Sequence, residues 1–274
     1  MRGYREANRQ IWNTWTPYHV DSGFYDVEGF KRGQRRERSG NDALEIEAVG
    51  DVVGKSLLHL QCHFGLDTLS WARRGAIVTG VDFAEEAIRT ARALAAETGI
   101  PATFVHSDVY DLPRRLDGQF DIVFTSHGVL CWLPDLDAWA QVIAHFLRPG
   151  GVFHIIEVHP FATIFDDAGS DGELRPAYPY FHEIEPIRSE RNGSYGAPAA
   201  PIRSVSYQWA HSMGEILNAL IGAGLRIESL NEYPVVGWAV FPWMAERPDG
   251  FWELPREQRS IPLMFSLKAS KPIE

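Results

Sequence analysis

The chain has 274 residues, 45% of them hydrophobic and 23% charged, and a net charge of −10. That composition suits an ordinary globular protein with a full core, and its negative balance counts against a nucleic-acid backbone or an anionic membrane as the main partner. No apolar run approaches the roughly 18–20 residues that span a bilayer, and the start MRGYREANRQIWNTW is too polar for a secretory segment, so a cytoplasmic protein is expected.

The length allows one large α/β domain, or about 200 residues with an insertion. Residues 1–50 are polar and arginine-rich, dotted with Trp12, Trp15, Tyr18, Phe24, Tyr25 and Phe30. Ile11, Trp12 and Trp15 have helical spacing, and the region reads as a helix and loop lying across a main domain at 51–274. From Leu57 onward, short apolar runs predict strands at Leu57–Gln61, Ile77–Val81, Ala102–His106, Phe120–Ser126 and Val152–Val158. Between them, Ala84–Thr98 is the clearest helix, with Glu85 and Glu86 in its first turn and Gly99 and Pro101 ending it. Strands alternating with helices imply a parallel sheet with right-handed crossovers.

After Val158 the rhythm breaks. Residues 160–207 are rich in Pro, Gly, Tyr and Phe, and an irregular stretch of that length is expected to be a lid or a substrate platform. Within it, Phe181–Ser189 and Arg203–Trp209 read as an antiparallel pair joined by the Asn192-Gly193 turn and a longer loop. A helix at Met213–Ile221 and strands at Leu225–Glu232 and Ile261–Ala269 complete the chain.

The most informative stretch is LLHLQCHFGLDTLSWARRGAIVTGVD, from Leu57 to Asp82. Strand, tight turn, helix and a second strand ending in an acid form the layout that an adenosine-type cofactor needs, because the turn opens space at a helix N-terminus and the acid reaches ribose hydroxyls. The turn carries Gln61 and His63 where glycines are expected. Cys62 and Cys131 are the only cysteines and lack CxxC spacing. His59 and His63 have no third ligand in view, so no metal is expected.

Further motifs follow in order: HSDVYDLP after the third strand, FDIVFTSHGVLCWL through the fourth, and LRPGGVFHIIE into the fifth. Together they resemble the class I S-adenosylmethionine (SAM)-dependent methyltransferases, over about Asp51 to Lys271. The resemblance implies an α/β, Rossmann-like fold: a seven-stranded, mostly parallel sheet sandwiched by helices, with an N-terminal cover and an insertion after the fifth strand. It implies SAM as cofactor and S-adenosylhomocysteine (SAH) as product. Asp82 would hold the ribose hydroxyls, Asp108 would receive the adenine amino group, and the Val109 N–H would donate to the ring. His59, Gln61, His63, Gly65, Phe83, Ser107, Ser126 and His127 complete the implied cofactor site. Where the family carries an acid, this chain has His59, and of the family's glycines only Gly65 is kept. Gln61 and His63 carry Cβ atoms that resist φ > 0. Either the turn is reshaped, with Gln61 or His63 bonding the methionine part, or SAM binding is lost; the joint presence of Asp82 and Asp108 favours retained binding.

The methyl acceptor of this fold sits beyond the C-terminal ends of the fourth and fifth strands. That makes His127, Glu157, His159 and His211 the candidate catalytic residues. Each is weighed against a structural role, and a base is not obligatory for methyl transfer. Glu157 and His159 alternate about Val158 and are expected on one face. Ser212 reads as a helix cap. The expected function is methyl transfer to a small, apolar or aromatic acceptor by a monomer or homodimer, with no nucleic-acid or membrane partner. The alternatives are a noncatalytic SAM- or SAH-binding protein and an enzyme that uses SAM for another reaction.

Overall fold

The computed structural model describes residues 2–33, 41–166, 171–258 and 260–273. The expected cover and insertion each include residues, 34–40 and 167–170, that lie outside the described ones. The chain begins with α1 (Arg2–Val20), α2 (Val27–Lys31) and α3 (Asn41–Val49). The alternating body then runs β1 (Ser56–Leu60), α4 (Leu66–Arg73), β2 (Ile77–Asp82), α5 (Glu85–Thr98), β3 (Thr103–His106), β4 (Phe120–Thr125), α6 (Leu136–Phe146) and β5 (Leu147–Val158). It continues through β6 (Ile187–Asn192), β7 (Arg203–Gln208), α7 (Met213–Gly222), β8 (Arg226–Tyr233), three two-residue strands β9 (Val235–Val236), β10 (Ala245–Glu246) and β11 (Trp252–Glu253), and β12 (Met264–Ser270).

Seven strands form one sheet in the order β3-β2-β1-β4-β5-β12-β8. The first five are parallel, and β12 runs antiparallel between β5 and β8. This is the Rossmann-like, mostly parallel sheet expected from the sequence. Both faces are buried, as parallel strands require. One face packs on α6 and α7 through Leu58, Leu60, Trp139, Phe146, Ile216 and Phe265. The other packs on α4 and α5 through residues such as Leu69, Ile88, Leu94 and Phe104.

Three details differ from expectation. First, α1 is a helix of 19 residues, not one short segment. Ile11, Trp15 and His19, four apart, form its buried stripe, and Asn8 exchanges two hydrogen bonds with the Tyr207 backbone of β7, at 2.6 and 2.9 Å. Docking rather than propensity supports the helix, and Pro17 is tolerated near its end. Second, β5 starts at Leu147, because the strand pairing with β4 shifts register across the RPGG bend. Third, the hairpin pairs Ile187–Asn192, not Phe181–Ser189, with β7; Phe181 and Ile184 lie exposed before it. Beside these, β9–β11 form a small sheet over Phe241, Leu254 and Leu263 that two-residue strands gave no pattern to announce. Among the described residues, no helix is long and apolar enough to cross a membrane.

Candidate functional site

The C-terminal ends of β1, β2, β3 and β4 open into one cavity. The turn after β1 forms its floor. Gln61 and His63 both adopt left-handed backbone, with φ of 57° and 51°, and Gly65 joins them at 81°. The expectation that Cβ atoms would keep these positions out of φ > 0 is therefore corrected. The turn keeps a glycine-like path at a cost of about 1–2 kcal/mol per residue. Strain held this way needs support from outside, and Asp82 supplies it: Oδ2 accepts the His63 N–H at 2.9 Å and Oδ1 accepts the Ala84 N–H at 2.8 Å. Burial pushes the Asp82 carboxyl up to about 6, against the pull of those N–H donors.

His59 lies under the turn and does not line the cavity. Fully buried, it is 2.9 Å from Thr68 Oγ1 on α4 and 3.1 Å from Ser126 Oγ after β4, so it ties three elements together. Burial pulls its pKa down to about 4, leaving a neutral ring. Gln61, His63, Gly65, Asp82, Phe83, Ser107, Asp108, Val109, Ser126 and His127 all line the cavity. Asp108 caps the turn at Val109–Arg114 by accepting the Tyr110 N–H, and its Oδ2 pairs with Arg5 of α1 at 3.1 Å. Gln61 Nε2 donates to Val129 O at 3.3 Å, while its buried Oε1 has no partner among the described residues.

Relief of the strain gives a direct check. Gln61→Gly is expected to change stability by no more than about 1 kcal/mol, because the relieved left-handed strain offsets the greater chain entropy of glycine. A thermal melt that shows a larger loss would mean that the Gln61 side chain holds the turn.

Of the four candidate catalytic residues, only His127 borders the cavity. Glu157 is buried with its carboxylate taken up by backbone: Oε1 accepts the Gly128 and Val158 N–H groups at 2.7 and 2.6 Å, and Oε2 those of Val129 and Leu130 at 2.8 and 3.3 Å. Burial raises its pKa while these donors lower it. Its work is to hold the loop after β4. His159 lies past the end of β5, where the alternation about Val158 no longer applies. Its Nδ1 accepts the Phe161 N–H at 3.0 Å and its Nε2 is 2.8 Å from Glu232 Oε1. His211 is not among the residues that line the cavity; its Nε2 is 2.7 Å from Leu133 O and its ring stacks on His182. Ser212 caps α7 in a reciprocal capping box with Glu215, as its position predicted.

Several lining residues come from distant parts of the chain. Trp12 and Arg5 of α1, Tyr25, Trp132 and Tyr195 complete the wall. Trp12 stands edge-on to both His63 and Trp132, with ring centroids 5.0 and 5.3 Å apart. Buried His19 joins the wall to the turn: Nδ1 is 3.0 Å from His63 Nε2, and Nε2 is 2.8 Å from Ser194 Oγ. The hydroxyls of Tyr25 and Tyr195 bond each other across the rim. The helical spacing around Trp12 was the sequence signal for this wall. Nothing local marked Arg5, Tyr195 or Glu45, whose carboxylate reaches His127.

A mostly parallel sheet, a left-handed turn after β1 and the acids Asp82 and Asp108 at one end of it match the layout that the sequence resemblance implied. Residues 57–151 match the family model of a methyltransferase domain. It is 33% identical over 132 residues to the ubiquinone biosynthesis O-methyltransferase of Photorhabdus laumondii, covering 48% of this chain and 55% of that protein. The chain thus aligns with about half the length of the curated relatives it matches. A SAM-dependent methyltransferase from Mesorhizobium loti superposes with a TM-score of 0.58 at 22% identity, over 85% of this chain and 97% of that one. The SAH complex of DhpI gives 0.58 at 17% identity over the whole of both chains.

Proposed function

We propose that this protein transfers a methyl group from SAM to a small apolar or aromatic acceptor, releasing SAH. The observation that carries the reading is the meeting of Asp82, Asp108 and the N-terminus of α4 around one cavity. A carboxylate offers about four lone-pair sites. Asp82 therefore has capacity beyond its two backbone N–H groups for a pair of ribose hydroxyls. Phe83 and Val109 provide apolar surface for the adenine, with Ser107 beside them, and Asp108 shares its carboxylate between Arg5 and the adenine amino group. N–H groups at the start of α4 suit a carboxylate, and the unpartnered Gln61 Oε1 suits an ammonium. Ser126 and His127 border the same space, with His63 across from them on the turn.

Bound SAM supplies a methyl group on a positively charged sulfur. The protein's part is to align the acceptor with it and to keep water out. Trp12, Tyr25, Trp132 and Tyr195 present an aromatic wall, which favours an apolar or aromatic acceptor. The α1 region and the 160–207 insertion supply that wall through Trp12 and Tyr195, which supports their reading as cover and platform on a 51–274 domain. We take the protein to be cytoplasmic, monomeric or homodimeric, with no nucleic-acid or membrane partner, in keeping with its negative charge.

The test is incubation with methyl-labelled SAM and a panel of phenols, amines, thiols and carboxylic acids. Label transfer to a panel member is the expected result. Tight SAM binding with no transfer would favour a noncatalytic binder or another SAM reaction, and a folded protein that binds no SAM would overturn the reading.

A further inference from the structure

Histidine at the left-handed position 63 costs energy that glycine would not, and what it adds over glycine is the contacts of its ring. Those contacts reach α1. Nε2 lies 3.0 Å from Nδ1 of His19, and the ring stands edge-on to Trp12 and Tyr25 at centroid distances of 5.0 and 5.6 Å. His19 is fully buried and is not among the residues that line the cavity. Burial pulls its pKa down to about 4, so the two rings meet without repulsion between charges. On its far side, Nε2 lies 2.8 Å from Ser194 Oγ, which accepts the Ala197 N–H at 3.1 Å. The 160–207 insertion comes close here: a Cβ on Gly196 would stand 3.0 Å from the His19 ring. His63, His19 and Ser194 thus make a row from the turn after β1, through α1, into the insertion. Two wall residues flank the row. Trp12 lies two turns before His19 on the same face of α1, and the Tyr195 ring is 4.8 Å from that of His19.

We infer that His63 is a positioning residue for the methyl acceptor: through His19 and Ser194 it fixes α1 and the 193–197 turn so that Trp12 and Tyr195 form the acceptor wall. The inference rests on the methyltransferase reading and deepens it, because the turn that faces the cofactor then also sets the surface that receives the acceptor. Cofactor binding orders the turn, and the row of side chains passes that order to α1 and the insertion. A wall already in place costs less to order when the acceptor arrives. By reciprocity, an acceptor held against the wall tightens the cofactor by the same factor. The ring at position 63 is what couples the two sites, and a glycine there has no side chain to do so.

The test is amide hydrogen exchange with and without SAH, read in the parent, His63→Gly and His19→Leu. Glycine tolerates the left-handed backbone, and His19→Leu leaves the turn itself untouched. In the parent, SAH is expected to slow exchange at residues 14–20 and 194–197 by about fivefold or more. In both variants the slowing there should shrink to less than about twofold, while it persists at residues 61–66. His63→Gln, long enough to reach His19, should restore part of it. The double variant should lose no more than either single one, since the two rings act as a unit. With the panel member that takes up label, KM for the acceptor should rise about tenfold in His63→Gly at nearly constant kcat. SAH affinity by calorimetry should stay within about threefold of the parent. Full SAH protection of residues 14–20 and 194–197 in His63→Gly would overturn the inference, as would protection confined to the turn in the parent. A fall in SAH affinity as large as the rise in acceptor KM would assign the ring to the cofactor instead. Failure of the underlying methyltransferase reading shows separately, as no SAH binding by the unaltered protein.

Discussion

Replacing Glu157 by alanine is expected to destabilise the protein by about 3 kcal/mol, although the residue touches nothing in the cavity. Its carboxylate accepts four backbone N–H groups, three of them from the loop after β4. Deleting it strands those donors in the interior, and each buried donor without a partner costs about 1–3 kcal/mol. Partial relaxation and the relief of burying a charge bring the net loss below the plain sum over four donors, to about 3 kcal/mol. For a chain of this size the melting temperature should fall by roughly 6–12 °C. Glu157→Gln should recover only part of this, since its amide offers one accepting oxygen where the N–H groups need two. A melt within about 2 °C of the parent would show that the loop after β4 does not depend on Glu157.

The second large effect concerns Asp82. Asp82→Ala is expected to weaken SAH binding by about 1.5–3 kcal/mol, the range for a hydrogen bond to a charged group. It also frees the N–H of His63 at a left-handed position, so the turn that borders the cofactor space loses its brace. Calorimetric titration with SAH measures the effect; unchanged affinity in a folded variant would displace the cofactor from this end of the sheet. The pH dependence has two opposite parts. Because burial raises the folded Asp82 pKa to about 6 from an ordinary 3.8, ionising it opposes folding. Its contribution to stability is fully present below the ordinary carboxyl value and is lost as pH rises through about 6. Ribose hydroxyls donate to the ionised form, so SAH affinity should rise over the same window. Equal affinity at about pH 5 and about pH 7.5 would contradict a carboxylate ligand.

Much of the fold was readable because its signals are local. Apolar runs of five or six residues, an acid-led helix at Glu85–Thr98 and its Gly99 stop all depend on near neighbours in the chain. The same holds for Asp82, which ends β2, and for Asp108, two residues past the end of β3. The catalytic candidates were less legible. Glu157 was assigned to the right strand, but alternation gives a face and not what waits there. In this protein the loop N–H groups of residues 128–130 occupy it. His159 was linked to Glu157 by a period that ended one residue earlier, at Val158. His211 sat next to a correctly recognised cap, yet its ring stacks on His182.

The strand-turn-helix-strand from Leu57 to Asp82 was determined by the sequence alone, together with the parallel sheet and the acid at the end of β2. Tertiary structure decided what the unusual turn residues do. Gln61 and His63 adopt backbone angles that their own side chains disfavour, because Asp82 bonds the His63 N–H and His59 braces the turn from below through Thr68 and Ser126. Tertiary structure also brought Arg5 and Tyr195 to the cavity, and Glu45 to His127 at its border, from segments with no local mark of that role. The physical reason is range: hydrogen bonding and periodicity within a segment are written in consecutive residues. Strain, burial and the pairing of distant side chains are settled only when the chain closes on itself.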